Sequence, residues 1–553
     1  MPASHLSVDR RTFAEWADEA PVVVYVTAEL PYGDPLGGYA AVTGRREGRG
    51  QTDDDRDADG RSLAYSFLFE RADKVASSDP TGALTTGTTA ESPVRYSAVG
   101  YEPPIVISAR PGDDRVSVLD DRYRGLIDIG GGDVVDRLRS AFPDVASRGF
   151  PRRSGRHFAG GLVGFLSYDA VYDLFLHQVG VNRPRSKFPD AEFVLSTKNL
   201  VYDHVAERTK LVFTPVVSQD DDPQAVYDAL LAEARRIREI IDRPNRIDGS
   251  GFRQVGQNAD RGEDFRATVR RTKEYVREGD IYQGVISRRR QLYGDIDTLQ
   301  LYATLRELNP SPYMYLCGFD DTTLVGASPE TLVEVRDRKI VTNPIAGTCK
   351  RGDGPVDDRR QAGRMLVDGK ERAEHAMLVD LARNDVRRVS EAGSVGVEEF
   401  MNVIKYSNVQ HIESTVVGRL AAGADAFDAT RATFPAGTLS GAPKLRAMEI
   451  IDELEKTPRG PYGGGIGYYS WTGEADLAII IRTATVTHDV AVPNVVTDGS
   501  VSDEVDRVTI RAGAGIVADS DLSAEFEETQ QKMDSVCTAL ERIRKDRAGE
   551  IVE

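Results

Sequence analysis

The chain reads as an α/β protein, and three observations point that way. Short apolar runs such as Val22-Val23-Val24-Tyr25-Val26 have strand character. Longer segments place apolar residues at helical spacing. The two kinds of element then alternate to about Leu540. Alternation alone does not separate a doubly wound parallel sheet from antiparallel sheets with helices outside, so both stay open at this level.

Residues 10–242 are expected to form a first lobe. Its stretch from Gly44 to Gly60 is acidic and glycine-rich and reads as a solvated or disordered loop. Gly160-Gly161-Leu162-Val163-Gly164-Phe165 combines strand character with glycines that permit close backbone approach. Pro223 opens a helix whose apolar stripe holds Val226, Leu230, Ile237 and Ile241. Residues 243–258, with Arg243-Pro244-Asn245 and Gly249-Ser250-Gly251, read as an interlobe linker. The second lobe, 259–545, starts with a helix bearing Phe265, Val269, Thr272 and Val276, closed by Gly279. The charged tail Glu541 to Glu553 extends the last helix or frays.

With 553 residues the chain can bury large cores, and a net charge of −18 argues against nucleic acid as a partner. Acidic runs such as Asp53-Asp54-Asp55, with arginine far outnumbering lysine, suit a salt-rich cytosol such as that of a halophilic archaeon. Cys317, Cys349 and Cys537 are odd in number and widely spaced, so neither a disulfide framework nor a zinc site is indicated. No apolar run approaches bilayer-spanning length, and Met1 to Pro21 lacks a signal-peptide pattern. A soluble cytoplasmic protein is expected.

Chemistry enters with Lys370-Glu371-Arg372-Ala373-Glu374-His375. Glu371 and Glu374 stand three apart in a helix-forming segment, so both carboxylates can face one way. Glu525 and Glu528 repeat the spacing near the other end of the chain. Two such pairs on one cleft would hold a hard cation, Mg2+ best, because it takes oxygen ligands and dehydrates reluctantly. Taken alone, an acidic chain carries many such pairs as solvated helix faces.

Six further segments hold polar residues that a plain core would not need. They are Gly279-Asp280-Ile281-Tyr282-Gln283, Gly326-Ala327-Ser328-Pro329-Glu330 and Pro344-Ile345-Ala346-Gly347-Thr348. Then come Ser407-Asn408-Val409-Gln410-His411, Tyr462-Gly463-Gly464-Gly465-Ile466-Gly467 and Arg511-Ala512-Gly513-Ala514-Gly515. With the glutamate pairs, this set resembles the chorismate-utilising enzymes, in particular the large subunits of anthranilate synthases. The likeness covers 260–540 and extends more weakly over the first half.

The resemblance implies that Glu371, Glu374, Glu525 and Glu528 surround Mg2+, which binds the ring carboxylate of chorismate. It implies Glu330 as the general acid for the departing 4-hydroxyl, with a pKa raised by burial. His411 matches a histidine that transfers a proton during pyruvate elimination. Arg482 and Tyr462 match residues that hold the enolpyruvyl carboxylate, and Gly513 and Gly515 would let backbone N–H groups reach the same anion. Thr348 and Thr438 are hydroxyl contacts by the same argument. Lys532 either pairs with Glu528 or reaches the site.

Two positions discriminate within the family. Isochorismate and salicylate synthases place a lysine that activates water where this chain has Gln283, and glutamine is no base. Aminodeoxychorismate synthases commonly carry an attacking lysine where this chain has Ala346. Direct attack by ammonia, then pyruvate loss to anthranilate, is the consistent reading. The alternatives are an aminodeoxychorismate synthase of the folate pathway, and a silent homologue that binds chorismate or tryptophan. The silent reading predicts losses among Glu330, Glu371, Glu374, Glu525, Glu528 and Arg482, and none is lost.

No cysteine here sits in a nucleophile elbow, so the resemblance implies a separate glutamine amidotransferase subunit, in a heterodimer or heterotetramer. It also implies a tryptophan pocket. One wall resembles Asn309-Pro310-Ser311-Pro312-Tyr313-Met314-Tyr315. The other usually reads Leu-Leu-Glu-Ser, against Leu68-Phe69-Glu70-Arg71 here. Arg71 would place a cation near a ligand ammonium unless Glu70 neutralises it, so weakened feedback is expected. For the fold, the resemblance implies mostly antiparallel central sheets with outer helices.

Overall fold

The computed structural model describes residues 5–44, 64–71, 75–77, 96–151, 158–242, 249–405, 409–492 and 504–544. The acidic loop expected over 45–60, part of the linker, Ser407 and Asn408, and the tail after 544 lie outside them. Two twelve-stranded sheets dominate, and every strand pair within them is antiparallel. The antiparallel alternative is therefore the correct one, and the doubly wound sheet is excluded. A small third sheet contains the parallel pair Val22–Val24 with Ala146–Arg148.

The first large sheet runs from Phe252–Ala259 through Gln283–Ile296 and Val505–Ile516 to Val26–Leu30 at its far edge. The second centres on Thr331–Arg336, Ala475–Ile479, Gly465–Ser470 and Gly161–Leu166. Their facing surfaces share a core of Phe67, Tyr315, Cys317 and Leu324 from one sheet with Phe165, Ile466 and Ala478 from the other. Helices pack on the outer faces. Val226, Leu230, Ile237, Met533 and Leu540 join the core of the first sheet, and Leu138, Phe427 and Met448 that of the second.

The expected two-lobe division is not a division of the sheets. Tyr313–Phe319 pairs with Ser66–Glu70, and Gly465–Ser470 pairs with Gly161–Leu166, so both halves of the chain supply each sheet. The expected linker also ends inside a strand, Phe252–Ala259. Backbone groups at a sheet edge need partners, and the other half of the chain supplies them.

Local signals carried over well. Pro223 occupies the first turn of helix Pro223–Ile241, capped by Asp222. Helix Gly262–Glu278 closes on Gly279 at φ 87°, a left-handed conformation that glycine adopts freely. The apolar run at 22–26 instead splits at Tyr25, with Val22–Val24 in the small sheet and Val26–Leu30 at the edge of the first.

Candidate active site

Both glutamate pairs start helices. Glu371 and Glu374 lie early in Gly369–Arg387, capped by Asp368, and Glu525 and Glu528 lie early in Leu522–Arg542, capped by Asp521. Helix N-termini favour negative charge there. Burial raises the pKa of Glu374, and the charges of Glu371 and Glu528 raise it further. Burial also raises Glu371 and Glu525, and the Glu528 charge adds to both. The carboxylates therefore sense one another across the two helices. Among the described residues no three acidic, His or Cys side chains close into a ligand cluster. The donor set still fits a hard cation, being all oxygen and carrying excess negative charge.

Gln283 begins strand Gln283–Ile296 and donates its amide to Glu374 Oε1 at 2.9 Å. Its own Oε1 is buried without a hydrogen-bond partner. A Cβ at Gly515 would collide with the Gln283 amide nitrogen at 2.4 Å, so that glycine is what admits the side chain. A Cβ at Gly513 would meet Tyr462 Oη at 2.9 Å, so the second glycine makes room for the buried tyrosine. Lys532 does both things expected of it. It pairs with Glu528 at 2.7 Å and donates to the Gly513 carbonyl at 2.9 Å.

Ala346 and Thr348 lie on Ile345–Lys350, where Thr348 stands opposite His411 in register. Gly347 between them has φ 71°, and a Cβ there would come within 3.0 Å of Glu371 Oε2. His411 Nδ1 lies 3.1 Å from the Gly347 carbonyl and 3.0 Å from the Thr348 hydroxyl. A carbonyl only accepts, so Nδ1 carries the proton and Nε2 is bare. An Arg482 guanidinium N–H donates to that Nε2 at 3.4 Å. Burial first, then the Arg482 charge, pushes His411 down to about 3, so the ring is neutral.

Arg482 itself sits at φ 50°. That left-handed backbone costs a non-glycine residue about 1–3 kcal/mol, and such strain concentrates at functional sites. Its carbonyl accepts from Ala327 N–H at 3.2 Å, which ties the strained residue to the strand leading to Glu330. Glu330 is 6% exposed and accepts the Thr438 hydroxyl at 2.7 Å. Burial pushes it up to about 7, against the opposing pull of Thr438 and Lys532. Thr438 is thus in place as a partner of the acid.

The tryptophan-pocket residues only partly assemble. Phe69, Glu70, Arg71, Tyr313, Met314 and Tyr468 line a cavity between the sheets, with about 710 Å³ of open space including its mouth. Asn309, Pro310 and Ser311 do not line it. Asn309 caps helix Thr298–Leu308, and Ser311 donates to its carbonyl. Glu70 does not pair with Arg71. Glu70 accepts from Tyr302 at 2.6 Å and pairs with Arg306 at 3.0 Å, because alternate strand residues face opposite sides. Arg71 instead pairs with Asp476 and lies 4.7 Å from the Tyr313 ring centroid.

Sequence reasoning missed the buried brace behind the site. Arg459 donates to Leu439 and Val285 carbonyls at 2.6 and 2.7 Å and pairs with Glu455 at 2.7 Å. Burial would raise the Glu455 pKa, but Arg459 and Arg511 outweigh it and hold it low. Glu455 caps the end of helix Lys444–Leu454 and Arg459 lies in the loop beyond Pro458, so no helical pattern marked the pair and nothing local distinguished it from a surface one.

The two sheets thus carry a neutral histidine, a buried carboxyl that titrates near neutrality and two helix-borne glutamate pairs, the chemistry of an enzyme site that handles protons and anions. Residues 121–538 match the family model described as chorismate binding enzyme, and the chain belongs to that family. It is 57% identical over 540 residues to anthranilate synthase component 1 2 of Haloarcula marismortui, covering 97% of this chain and 96% of that protein. It is 54% identical over 539 residues to anthranilate synthase component 1 of Haloferax volcanii, covering 97% of each. Anthranilate synthase component I from Streptococcus pneumoniae superposes with a TM-score of 0.64 at 31% identity, over 84% of this chain and 99% of that one. The isochorismate synthase MenF of Escherichia coli has a TM-score of 0.63 at 16% identity and shares the fold.

Proposed function

We propose that the chain converts chorismate and ammonia to anthranilate, pyruvate and water. One observation carries this reading: two titratable groups that both feel the charges of Arg482 and Lys532 are pushed apart, Glu330 up to about 7 and His411 down to about 3, chiefly by burial. Near neutral pH the pair offers one protonated acid and one bare ring nitrogen. Glu330 gives its proton to the 4-hydroxyl, which leaves as water while ammonia bonds to C2. His411 Nε2 then takes the C2 proton as the C3–O bond breaks, releasing enolpyruvate that becomes pyruvate. Arg482 and Tyr462 orient the enolpyruvyl carboxylate, and Arg482 is preset by its strained backbone.

Glu371, Glu374, Glu525 and Glu528 would hold Mg2+, which when bound anchors the ring carboxylate and withdraws electron density. Gln283 supplies no base for water, and Ala346 supplies no nucleophile, so ammonia is the attacking group. Cys317 and Cys537 are buried and burial raises both thiols, which supports a separate glutaminase component as ammonia source. Arg71, already paired in the aromatic cavity, supports weak tryptophan feedback.

The test is incubation with chorismate, Mg2+ and ammonium at alkaline pH in high KCl. Anthranilate fluorescence and pyruvate should rise together and vanish with EDTA. An aminated product without pyruvate would move the assignment to aminodeoxychorismate synthesis.

A further inference from the structure

A second cavity lies directly behind Tyr462. On Gln283–Ile296 and Val505–Ile516, Arg288 and Arg290 turn outward to helix Leu522–Arg542, and Val508 and Ile510 join the outer core. The intervening residues Arg289, Gln291, Arg507, Thr509 and Arg511 therefore face inward, where a sheet normally presents apolar side chains. Arg289 stands directly opposite Arg511 in register, an unfavourable like-charge pairing. The cavity has about 890 Å³ of open space including its mouth, and Phe188 and Pro461 lie in its wall. Arg185, Lys187, Arg289, Arg459, Arg507 and Arg511 line it, and among the described residues no carboxylate does, in a chain of net charge −18.

Three of these cations are balanced from behind the wall. Arg289 pairs with Asp260 at 3.3 Å, while Arg459 and Arg511 share Glu455 at 2.7 and 3.5 Å. Arg507 has no ion-pair partner among the described residues. Its guanidinium donates to the Thr487 hydroxyl at 3.3 Å, and its Nε is buried without an acceptor. Arg511 is 7% exposed; its two terminal nitrogens donate to Pro458 and Thr457, and its Nε alone has no acceptor. Buried unpaired guanidinium donors are costly, and a concave site that gathers them calls for an anion. The planar fork of arginine selects oxyanions, and the hydroxyls of Thr485 and Thr509 add donors around it.

We propose that this cavity binds a small oxyanion, the carboxylate or phosphate group of a metabolite-sized molecule, held by Arg507 and the Nε of Arg511, with Tyr462 as the wall it shares with the reaction site. The assignment does not depend on the proposed reaction. Titration calorimetry on the full chain, with pyruvate and with inorganic phosphate at constant KCl, tests it. Saturable binding of either probe is expected, surviving in Arg482→Gln and at least tenfold weaker in Arg507→Gln. Pyruvate alone would identify a carboxylate site, and phosphate alone a phosphate site.

Arg507→Gln should also melt higher than the parent without anion, because it removes a half-buried charge with no ion-pair partner among the described residues, and the probe should no longer raise its midpoint. If that variant fails to fold, Thr509→Val keeps every charge and should weaken binding about threefold with kcat unchanged. No saturable binding of either probe would overturn the proposal. Binding lost in Arg482→Gln but intact in Arg507→Gln would overturn it too, by placing the anion in the reaction site.

Discussion

Thr438 donates its hydroxyl to Glu330 at 2.7 Å, yet the carboxyl still titrates near neutrality, at about 7. The hydrogen bond favours the carboxylate and burial favours the acid, and burial wins.

Thr438→Val should therefore push Glu330 higher and move the alkaline limb of the kcat profile upward, measured at constant free ammonia. Glu330→Gln should lower kcat by about 10²–10⁴-fold. The sign for stability is equally definite. A carboxyl raised from 4.5 to about 7 stabilises the fold fully below pH 4.5, and that contribution is lost as pH rises through 7. Urea midpoints of the parent should fall relative to Glu330→Gln across that window.

The Glu528 charge raises the pKa of both Glu371 and Glu374, and Glu371 adds to that of Glu374, so a divalent cation should relieve the repulsion. Mg2+ at about a hundred times its dissociation constant should stabilise the chain by about 2.7 kcal/mol. A thermal melt with and without EDTA reads this directly. Glu371→Gln with Glu525→Gln should abolish the Mg2+ effect, and an unchanged effect would remove these residues as ligands.

Arg71 occupies its cavity with Asp476 as counter-ion and Tyr313 beneath it. Micromolar tryptophan should leave activity nearly unchanged. Arg71→Ser should free Asp476 for a ligand ammonium and lower the inhibitory concentration at least tenfold, with thermal midpoints checking that the fold survives.

Arg459 and Glu455 are both buried, with side chains 2% and 5% exposed. Removing one partner strands the other charge, so Arg459→Met or Glu455→Gln should cost about 3–5 kcal/mol. Chemical denaturation measures this, and a loss below 1 kcal/mol would mean the brace is dispensable.

The net charge of −18 predicts that stability rises with salt. Melting midpoints should climb between low and molar KCl. A flat response would separate this chain from a salt-adapted design, although relatives come from Haloarcula marismortui and Haloferax volcanii.

What the amino-acid order determined alone was local. Asp222 and Pro223 start a helix, Gly279 ends one, and Glu-x-x-Glu spacing sets two carboxylates on one helix face, all within reach of a few bonds. The motif residues from Gln283 to Lys532 were legible because their types and order are themselves a pattern. Tertiary structure decided the rest. Sheet partners lie hundreds of residues apart, so the union of Ser66–Glu70 with Tyr313–Phe319 was invisible in either segment. It also decided the charges. Whether Arg71 meets Glu70 or Asp476, and whether Glu330 is an acid near pH 7, depends on burial and on neighbours in space, and neither is a property of neighbouring residues in the chain.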